Sequence, residues 1–451
     1  MASLIRHAIE SKRLLPGDRI PASRTLAREL GLARGTVVTA LEIVIAEGLL
    51  ETRRGSGTFV SSEAPIGGTP EVATQHTPSP VWVPVPAVDS APNDAIDFRP
   101  CRPSMDGFPL VEWRRSLASA ANQPPDSDYG DPRGDRYLRE QILSYLRRSR
   151  GLTPTIDEII VTNGAVHAMS LLASLYLSPS SSVVFENPGY PLARQTFALS
   201  GARLHLCDVD DDGIRCDQLP SRKVRPRLVY VTPSHQFPLG SRLSLARRRA
   251  LIDWAHENGT LIVEDDYDGE FRYDVPPLAP MAAMAPNTVV YCGTFSKTMF
   301  PGLRLGFAIA PRSLIDAMAA RRAICEYAPA APTQLALATF IESGHYERHV
   351  YRMRRRYAKR RAAVSDFIKH VDAPASLRGL DSGLSVCIEL RQGLSARSIS
   401  EAAARRGVCL PTLDAYRVGA TGDDTGLVCG YAEPRVEDIA RGLELAFGQT
   451  R

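Results

Sequence analysis

Residues 291–307 read YCGTFSKTMFPGLRLGF, an apolar run that passes into a polar tail carrying a single lysine. Thr294 and Ser296 precede Lys297, a Pro-Gly pair breaks the chain behind it, and Arg304 lies seven residues beyond it. The stretch is too short and too mixed in polarity for a helix that packs on one face. We therefore expect a locally built site around Lys297.

Apolar runs of the same kind recur along the C-terminal part of the chain. They alternate with helical stretches and end in polar or Gly/Pro turns; they read IIVTNG, VVFENPGY, RLVYVTPS, GTLIVEDDY and TVVYCGTFS. This alternation predicts an α/β fold with a largely parallel sheet whose strands are buried on both faces. Ligands bind at the carboxyl ends of the strands in such sheets, so the polar tails of these runs are the candidate site.

A proline-rich stretch divides the chain. Between residues 61 and 95 proline recurs every few residues, and no apolar period persists. This composition predicts an extended, semi-rigid linker. A surface loop within one domain is the alternative, although a structureless loop of this length is unusual in a compact fold. The predicted parts are a domain at 1–60, a linker at 61–95 and a domain at 96–451.

Composition limits the possible functions. The chain has 451 residues, 44% of them hydrophobic, which favours more than one domain. The formal net charge of +4 is small, so a nucleic-acid surface requires a local basic patch. Eight scattered cysteines without metal-ligand spacing predict a reduced, cytoplasmic protein without a metal site. No stretch has the length or hydropathy of a signal peptide or membrane span, so no membrane association is expected.

The first sixty residues predict three helices and a hairpin. The first helix is LIRHAIESK, Ser23 is the expected N-cap of the second, Gly31 ends it, and the third runs from about Arg34 to Glu47. EGLLETRRGSGTFV predicts two short strands joined by a turn. Two helices joined by a short turn indicate a helix-turn-helix, whose second helix enters the DNA major groove.

Five side chains in this part are candidate DNA contacts. Arg34 and Thr36 lie where the second helix of the motif would meet base edges. Arg24, Arg53 and Arg54 are placed to meet phosphates. Charge alone favours a small helical domain with solvated arginines. However, PGDRIPASRTLARELGLARGTVVTALEIVIAEGLLETRRGSGTFV resembles the winged helix-turn-helix of GntR-type bacterial repressors over its whole length, which implies DNA binding.

Lys297 is a candidate covalent catalyst. A lysine amine forms a Schiff base with the aldehyde of pyridoxal 5′-phosphate. This cofactor also needs a carboxylate at its pyridine nitrogen, a donor at its phenolic oxygen and a platform under its ring. We assign these roles to Asp265, Tyr267 and Tyr190, respectively. Taken alone, the acidic stretch that contains Asp265 also fits a solvated loop or a magnesium site.

The cofactor phosphate also has candidate ligands. A strand-to-helix turn leaves backbone N–H groups free for an anion, and arginine makes two-point contacts with phosphate. The candidates for these contacts are Asn163, Gly164, Ala165, Thr294, Ser296 and Arg304. His235, at another predicted strand end, is a further candidate for the cofactor site. Each is weak by itself. Their order at successive predicted strand ends is what supports one shared site.

Residues 96–451 resemble the fold-type I aminotransferases. The shared motifs are T-F-S-K with its arginine, here Lys297 and Arg304, and the stretch DYGDPRGDRYLREQI. The resemblance implies that Tyr129, in that stretch, reaches the cofactor phosphate of a neighbouring subunit. It therefore implies a homodimer with pyridoxal phosphate at the subunit interface.

The domain order resembles the MocR subfamily of GntR-type regulators. This implies a transcription regulator, and not an enzyme, whose aminotransferase-like domain senses pyridoxal phosphate, a small amine or an amino-acid-like effector. Two alternatives stay open: an active aminotransferase with an appended DNA-binding domain, and a pseudo-enzyme that has lost its cofactor. Leu427–Ala432, LVCGYA, places Val428 where the family has a carboxylate-binding arginine. The sequence therefore leaves the effector undefined, together with the operator and the direction of regulation.

Overall fold

The computed structural model describes residues 1–63, 94–124, 126–273, 278–370, 375–391, 393–419 and 425–448. The chain divides into two compact units, Met1–Trp82 and Val83–Arg451. Most of the predicted linker, from 64 to 93, lies outside the described residues. Its extended conformation and the limits of the two domains therefore stay predictions.

The N-terminal unit contains the predicted three helices and hairpin. Its elements are α1 (Ala2–Glu10), β1 (Arg19–Ile20), α2 (Ser23–Leu30), α3 (Arg34–Ala46), β2 (Leu50–Arg53) and β3 (Gly57–Val60). The central strand β3 pairs antiparallel with β2 and also with β1, which the sequence did not predict. Residues from all three helices and the sheet bury one apolar core, which includes Ile9, Val37, Leu50 and Val60.

The predictions for the two ends of α2 have different outcomes. Gly31 ends the helix with φ +63°, the left-handed conformation that glycine adopts without a Cβ penalty. The predicted serine cap is wrong. Ala22 occupies the N-cap position, Ser23 is the first helical residue, and no side chain caps the helix. The helix begins one residue earlier than predicted, directly after Ala22, whose backbone is extended.

The C-terminal unit supplies the remaining elements. Its strands are β4 (Ile96–Asp97), β5 (Ile159–Thr162), β6 (Ser182–Asn187), β7 (Arg203–Asp210), β8 (Gly213–Ile214), β9 (Leu228–Val231), β10 (Leu261–Asp266), β11 (Val289–Thr294), β12 (Gly306–Ile309), β13 (Ala375–Arg378), β14 (Ser385–Leu390), β15 (Val408–Cys409) and β16 (Gly426–Gly430). Its helices are α4 (Leu110–Ala121), α5 (Arg136–Ser149), α6 (Ala165–Tyr176), α7 (Pro191–Ala198), α8 (Leu245–Asn258), α9 (Met281–Met284), α10 (Arg312–Cys325), α11 (Ala331–Glu342), α12 (His345–His370), α13 (Ala396–Arg405) and α14 (Val436–Phe447).

The predicted apolar runs form the main sheet. In the described part of the chain this sheet has eight strands in the order β5-β12-β11-β10-β9-β6-β7-β8. All but β12 and β8 run parallel, and every residue of β5, β9 and β11 is buried. Helices cover both faces, as two separate apolar clusters indicate. The α/β prediction is confirmed, and the carboxyl ends of the parallel strands meet along one edge.

A smaller sheet stands beside the main one. It has the antiparallel order β13-β14-β16, and a parallel pair β15-β4 lies apart from it.

Among the described residues, none of the helices combines the length and the hydropathy of a membrane span.

Candidate functional site

A pocket lies at the carboxyl ends of the central parallel strands. Side chains that follow β5, β6, β9, β10 and β11 converge there, together with a loop after β4. Its walls are Cys101, Gly164, Ala165, Val166, Tyr190, Tyr230, Thr232, Phe237, Asp265, Tyr267, Thr294, Ser296, Lys297, Pro301 and Arg304. Residues far apart in the chain thus form one cavity, at the edge where such sheets bind ligands.

Lys297 projects into this pocket from the turn that follows β11. Its Nζ donates a hydrogen bond of 2.9 Å to the carbonyl oxygen of Cys101. Cys101 has φ +64°, a left-handed conformation that is uncommon outside glycine and aims this carbonyl at the amine. The amine is therefore held by a neutral acceptor, and no carboxylate of the described residues lies within ion-pair distance of it.

Asp265, near the end of β10, is the buried carboxylate of the pocket. The hydroxyl of Tyr230 donates to Asp265 Oδ2 at 2.7 Å. The other oxygen, Oδ1, is buried and has no hydrogen-bond partner. Burial raises the pKa of Asp265 to about 7, although the Tyr230 hydrogen bond acts in the opposite direction. A buried acceptor without a partner is costly, so this oxygen is suited to a protonated ligand nitrogen.

The acidic run around Asp265 is buried because other groups pair with its neighbours. Arg150 Nε lies 3.0 Å from Asp266 Oδ2, and the Tyr291 hydroxyl donates to that same oxygen at 2.6 Å. Arg150 also lies 3.3 Å from Glu270 and donates to the Gly269 carbonyl at 2.6 Å. This pairing stabilises the turn after β10 and thereby fixes the direction of the Asp265 side chain.

Tyr267 faces the pocket and is supported from behind by His235. The His235 Nδ1 atom lies 2.9 Å from the Tyr267 hydroxyl and 3.0 Å from Asp268 Oδ2. Burial and the nearby Asp268 carboxylate raise the pKa of Tyr267, so its hydroxyl keeps its proton. Gly383 packs so closely that a Cβ there would lie 2.0 Å from the histidine ring. His235 therefore positions Tyr267 and does not itself line the pocket.

The opposite end of the pocket is suited to an anion. The helix α6 begins at Ala165, directly after Gly164, whose φ of +89° favours glycine. Arg304 donates from Nη2 to the Asn163 carbonyl at 2.8 Å, which places its guanidinium beside this helix N-terminus. A Cβ on Gly164 would lie 3.4 Å from that guanidinium. Free N–H groups, the helix dipole and an arginine fork together favour a phosphate.

Nine of the twelve cofactor residues proposed from the sequence line this pocket. They are Gly164, Ala165, Tyr190, Asp265, Tyr267, Thr294, Ser296, Lys297 and Arg304. The other three lie elsewhere. Asn163 offers its carbonyl to Arg304 and turns its side chain to Glu326. His235 lies behind Tyr267, and Tyr129 is 81% exposed with its ring 5.1 Å from that of Tyr327.

The structure adds pocket residues that sequence analysis missed. They are Cys101, Val166, Tyr230, Thr232, Phe237 and Pro301. Tyr230 matters most, because it holds one oxygen of Asp265. It lies in the run RLVYVTPS, and a signal was available: a tyrosine inside a fully buried strand requires a hydroxyl partner. Cys101 carried no such signal, because its contact with Lys297 joins segments 196 residues apart.

Val428 lies in an apolar cluster beside the pocket. It is fully buried with Leu239, Cys387 and Leu413, and it faces Cys387 across the β14–β16 ladder. Next to this cluster, Tyr416 packs edge-on against the pocket residue Phe237 at 5.2 Å. Val428 and its cluster are thus apolar, while Arg378 and Arg417 lie near enough to act on the Cys387 thiol.

In the N-terminal unit, all five proposed DNA-contact residues are exposed. Arg34 and Thr36 lie in the first turn of α3, and Arg24 lies in the first turn of α2. Arg53 pairs with Glu51 at 2.6 Å and stacks over Phe59 at 4.8 Å, so part of its charge is already used. Arg54 lies in the adjoining hairpin turn.

Comparison with known proteins identifies both units. Residues 1–60 match the family described as bacterial regulatory proteins of the gntR family, and residues 102–408 match aminotransferase class I and II. Among solved structures, kynurenine aminotransferase of Pyrococcus horikoshii aligns with a TM-score of 0.72 and 25% identity, over 79% of this chain and 92% of that chain. The fold is thus a class I and II aminotransferase fold joined to a gntR-type helix-turn-helix unit.

Relatives with both units are named as regulators. The chain is 34% identical to the HTH-type pyridoxine biosynthesis transcriptional regulator PdxR of Corynebacterium glutamicum, over 95% of this chain and 90% of that protein. It is 32% identical to the probable rhizopine catabolism regulatory protein MocR of Rhizobium meliloti, over 95% and 88% of the respective chains. The chain belongs to this family of HTH-type transcriptional regulators with an aminotransferase domain.

Proposed function

We propose that this regulator binds pyridoxal 5′-phosphate in the pocket around Lys297 and that occupancy of the pocket changes its affinity for DNA. Bound pyridoxal phosphate supplies an aldehyde that condenses with a lysine amine and a ring that withdraws electrons. The observation that carries the proposal is the partnerless Oδ1 of Asp265 in the pocket that Lys297 enters. That oxygen matches a protonated pyridine nitrogen.

The chain's own residues have separable roles in this proposal. Lys297 provides the amine, Asp265 pairs with the ring nitrogen, and Tyr267 donates to the phenolic oxygen. Tyr190, which is mostly buried at the pocket wall, is the ring platform. The N-terminus of α6 would hold the phosphate, with Arg304, Thr294 and Ser296 as further donors.

The effector is proposed to bind without an arginine clamp on an α-carboxylate. Among the described residues that line the pocket, Lys297 and Arg304 are the cations, and both are assigned to the cofactor. Val428 is apolar and buried at the family's arginine position. Pyridoxal phosphate itself, or an amine without a carboxylate, therefore fits better than an ordinary amino acid. The name of the relative PdxR makes the vitamer the first ligand to test.

In this proposal, the coupling between the pocket and the DNA-binding unit operates in a homodimer with two preferred states. Two subunits would place two α3 helices on two half-sites of an operator. Tyr129, which is exposed, would reach the cofactor phosphate of the partner subunit. A ligand shifts this equilibrium only by its different affinity for the two states.

The test is footprinting of the full-length protein on the region upstream of its own gene, with and without pyridoxal phosphate. We expect protection of two half-sites that changes with the vitamer in the wild type and does not change in Lys297→Ala. Arg34→Ala should lose protection under both conditions. A vitamer response that survives Lys297→Ala would overturn the proposed switch.

An aminotransferase with an appended DNA-binding unit is the second candidate. The aminotransferase fold and the available Lys297 favour it, whereas the buried Val428 opposes the usual substrate grip. Steady conversion of an amino donor and a keto acid by the purified protein would establish this activity, and the regulator-only function would then be wrong.

A further inference from the structure

The most basic stretch of the chain lies outside both sites described above. Residues 345–361, HYERHVYRMRRRYAKRR, contain eight Lys or Arg side chains and one acidic side chain, Glu347. They form the first two thirds of α12, whose buried face packs into the main core through residues such as Tyr346, Met353 and Tyr357. Packing in the core explains the apolar face of α12, but it does not explain the large number of cations on this helix.

Some of these cations have structural roles. Arg354, Arg360 and Arg361 turn toward the protein and donate to the carbonyl oxygens of Glu270, Ala432 and Leu380. Arg356 donates to the Asp106 carbonyl. These arginines hold neighbouring segments against α12, so their presence is explained by the fold.

The remaining cations lie on one exposed stripe. Arg348, Arg352, Arg355 and Lys359 are all exposed. At 3.6 residues per turn they fall within about 60° of the helix circumference, and at 1.5 Å per residue they extend over ~16 Å. We call these four residues the α12 basic face. For Arg352, Arg355 and Lys359, no carboxylate of the described residues lies within ion-pair distance.

This arrangement opposes helix stability. Arg348 and Arg352 are four residues apart, as are Arg355 and Lys359, and like charges at this spacing destabilise a helix. A solvated helix surface ordinarily alternates acidic and basic residues and thereby gains from the same spacing. If the face were only solvated, the like charges would destabilise the helix and nothing would compensate for this. A polyanion on the stripe would relieve the repulsion.

We propose that the α12 basic face is a second DNA-contacting surface, located on the aminotransferase-like unit, which binds the phosphate backbone without reading bases. The inference rests on the proposed function, because the protein must bind DNA for this surface to act. Arginine forks match phosphate oxygens with two-point geometry. Contacts to phosphates position a protein on DNA but carry no sequence information.

The experiment measures the salt dependence of DNA binding by the full-length protein. The variant is Arg352→Gln/Arg355→Gln/Lys359→Gln, and the matched control removes three scattered exposed cations through Arg114→Gln/Arg249→Gln/Arg405→Gln. The probes are the upstream duplex and a random-sequence duplex, both of about 60 base pairs, which is short enough to stay nearly straight. Fluorescence anisotropy gives Kd at several salt concentrations.

We expect the α12 variant to bind both duplexes ~10- to 100-fold more weakly at low salt. Its salt slope should be smaller by about 0.9 for each phosphate that the protein no longer neutralises, or ~2.7 for three phosphates. The scattered control should keep the wild-type slope. Arg34→Ala should weaken binding to the upstream duplex and leave the random-sequence duplex nearly unchanged. Thermal unfolding of both triple variants at or above the wild-type temperature shows that folding is intact, and the α12 variant should be slightly the more stable because its like-charge pairs are removed.

The outcomes separate the two proposals. If the wild type binds neither duplex, the DNA-binding function itself is wrong. If Arg34→Ala has its expected effect while the α12 variant matches the scattered control, only the second surface is wrong. If the α12 variant instead loses binding to phosphatidylserine vesicles and keeps its DNA affinity, the surface is for membranes and the proposal is overturned.

Discussion

Two dense charge runs in the C-terminal unit are treated in opposite ways. The acidic run Glu264–Glu270 is mostly buried, and its carboxylates, apart from that of the pocket residue Asp265, pair with Arg150, His235 and backbone N–H groups. The α12 basic face is exposed, and none of its four cations has a carboxylate of the described residues within ion-pair distance. A buried charge needs a partner inside the protein, because it has lost its hydration. An exposed charge is hydrated, so it is stable without a protein partner and can bind a ligand of opposite charge. Internal pairing therefore indicates scaffold, and unpaired exposed charge indicates a binding surface.

Lys297 provides the largest test of this contrast, because it is a cation beside the acidic run that a carbonyl holds in place of a carboxylate. Lys297→Ala should abolish the visible absorbance band that pyridoxal phosphate gives when it is joined to a lysine. Borohydride should fix the vitamer covalently to the wild type and not to the variant, as intact-mass measurement would show. Lys223→Ala, at an exposed lysine, is the control. Covalent fixation in Lys297→Ala would place the reactive amine elsewhere.

Arg150→Met tests the buried side of the comparison. Removing one partner leaves Asp266 and Glu270 as uncompensated buried charges, which typically costs about 3–5 kcal/mol. We expect a large loss of stability in urea unfolding of the cofactor-free protein. Arg355→Gln, on the exposed side, should change the free energy of unfolding by about 0.5 kcal/mol or less. Similar effects of the two substitutions would remove the distinction between paired and unpaired charge.

Arg34→Ala tests an exposed arginine of the N-terminal unit. Loss of a base-contacting arginine typically costs about 1–3 kcal/mol of specific affinity, which is roughly 5- to 150-fold in Kd. We expect this loss on the upstream duplex by anisotropy, with unchanged thermal stability. Arg28→Ala, an exposed arginine on α2, is the control and should keep most of the affinity. Equal Kd values for the two variants would contradict the assigned role of Arg34.

Asp265→Asn changes the free energy of unfolding by an amount that depends on pH. Burial raises the pKa of Asp265 to about 7 in the cofactor-free protein, while an unfolded aspartate titrates near pH ~3.9. Between these values the folded state keeps a proton that the unfolded state has lost, so the wild type loses stability as the pH rises. The variant does not titrate there. The free energy of unfolding of the variant, relative to that of the wild type, should therefore increase by about 1.4 kcal/mol for each pH unit, up to pH ~7.

Denaturation at about pH 5, 6 and 7 measures this difference. Asp253→Asn, at an exposed aspartate, is the control and should follow the wild type at each pH. A constant difference between Asp265→Asn and the wild type would mean that the carboxyl is already ionised across this range.

The accuracy of sequence analysis followed the distance between interacting residues along the chain. Lys297, Asp265 and Gly164 were assigned from short local patterns, because each follows an apolar strand at a recognisable turn. His235 was assigned from the same kind of pattern, yet its ring lies behind Tyr267. A strand end predicts which edge of the sheet a residue reaches, but not which side of a neighbouring ring it occupies.

The amino-acid sequence by itself determined the two-unit plan, the α/β class and the lysine, carboxylate and arginine of the pocket. Hydrophobic period and turn residues are local properties, and they are sufficient for these features. The tertiary structure alone decided that Tyr230 holds Asp265, that Cys101 holds Lys297, and which carbonyl groups the inward-turned arginines of α12 meet. These contacts join elements whose separation is set by packing in three dimensions, so no local pattern encodes them.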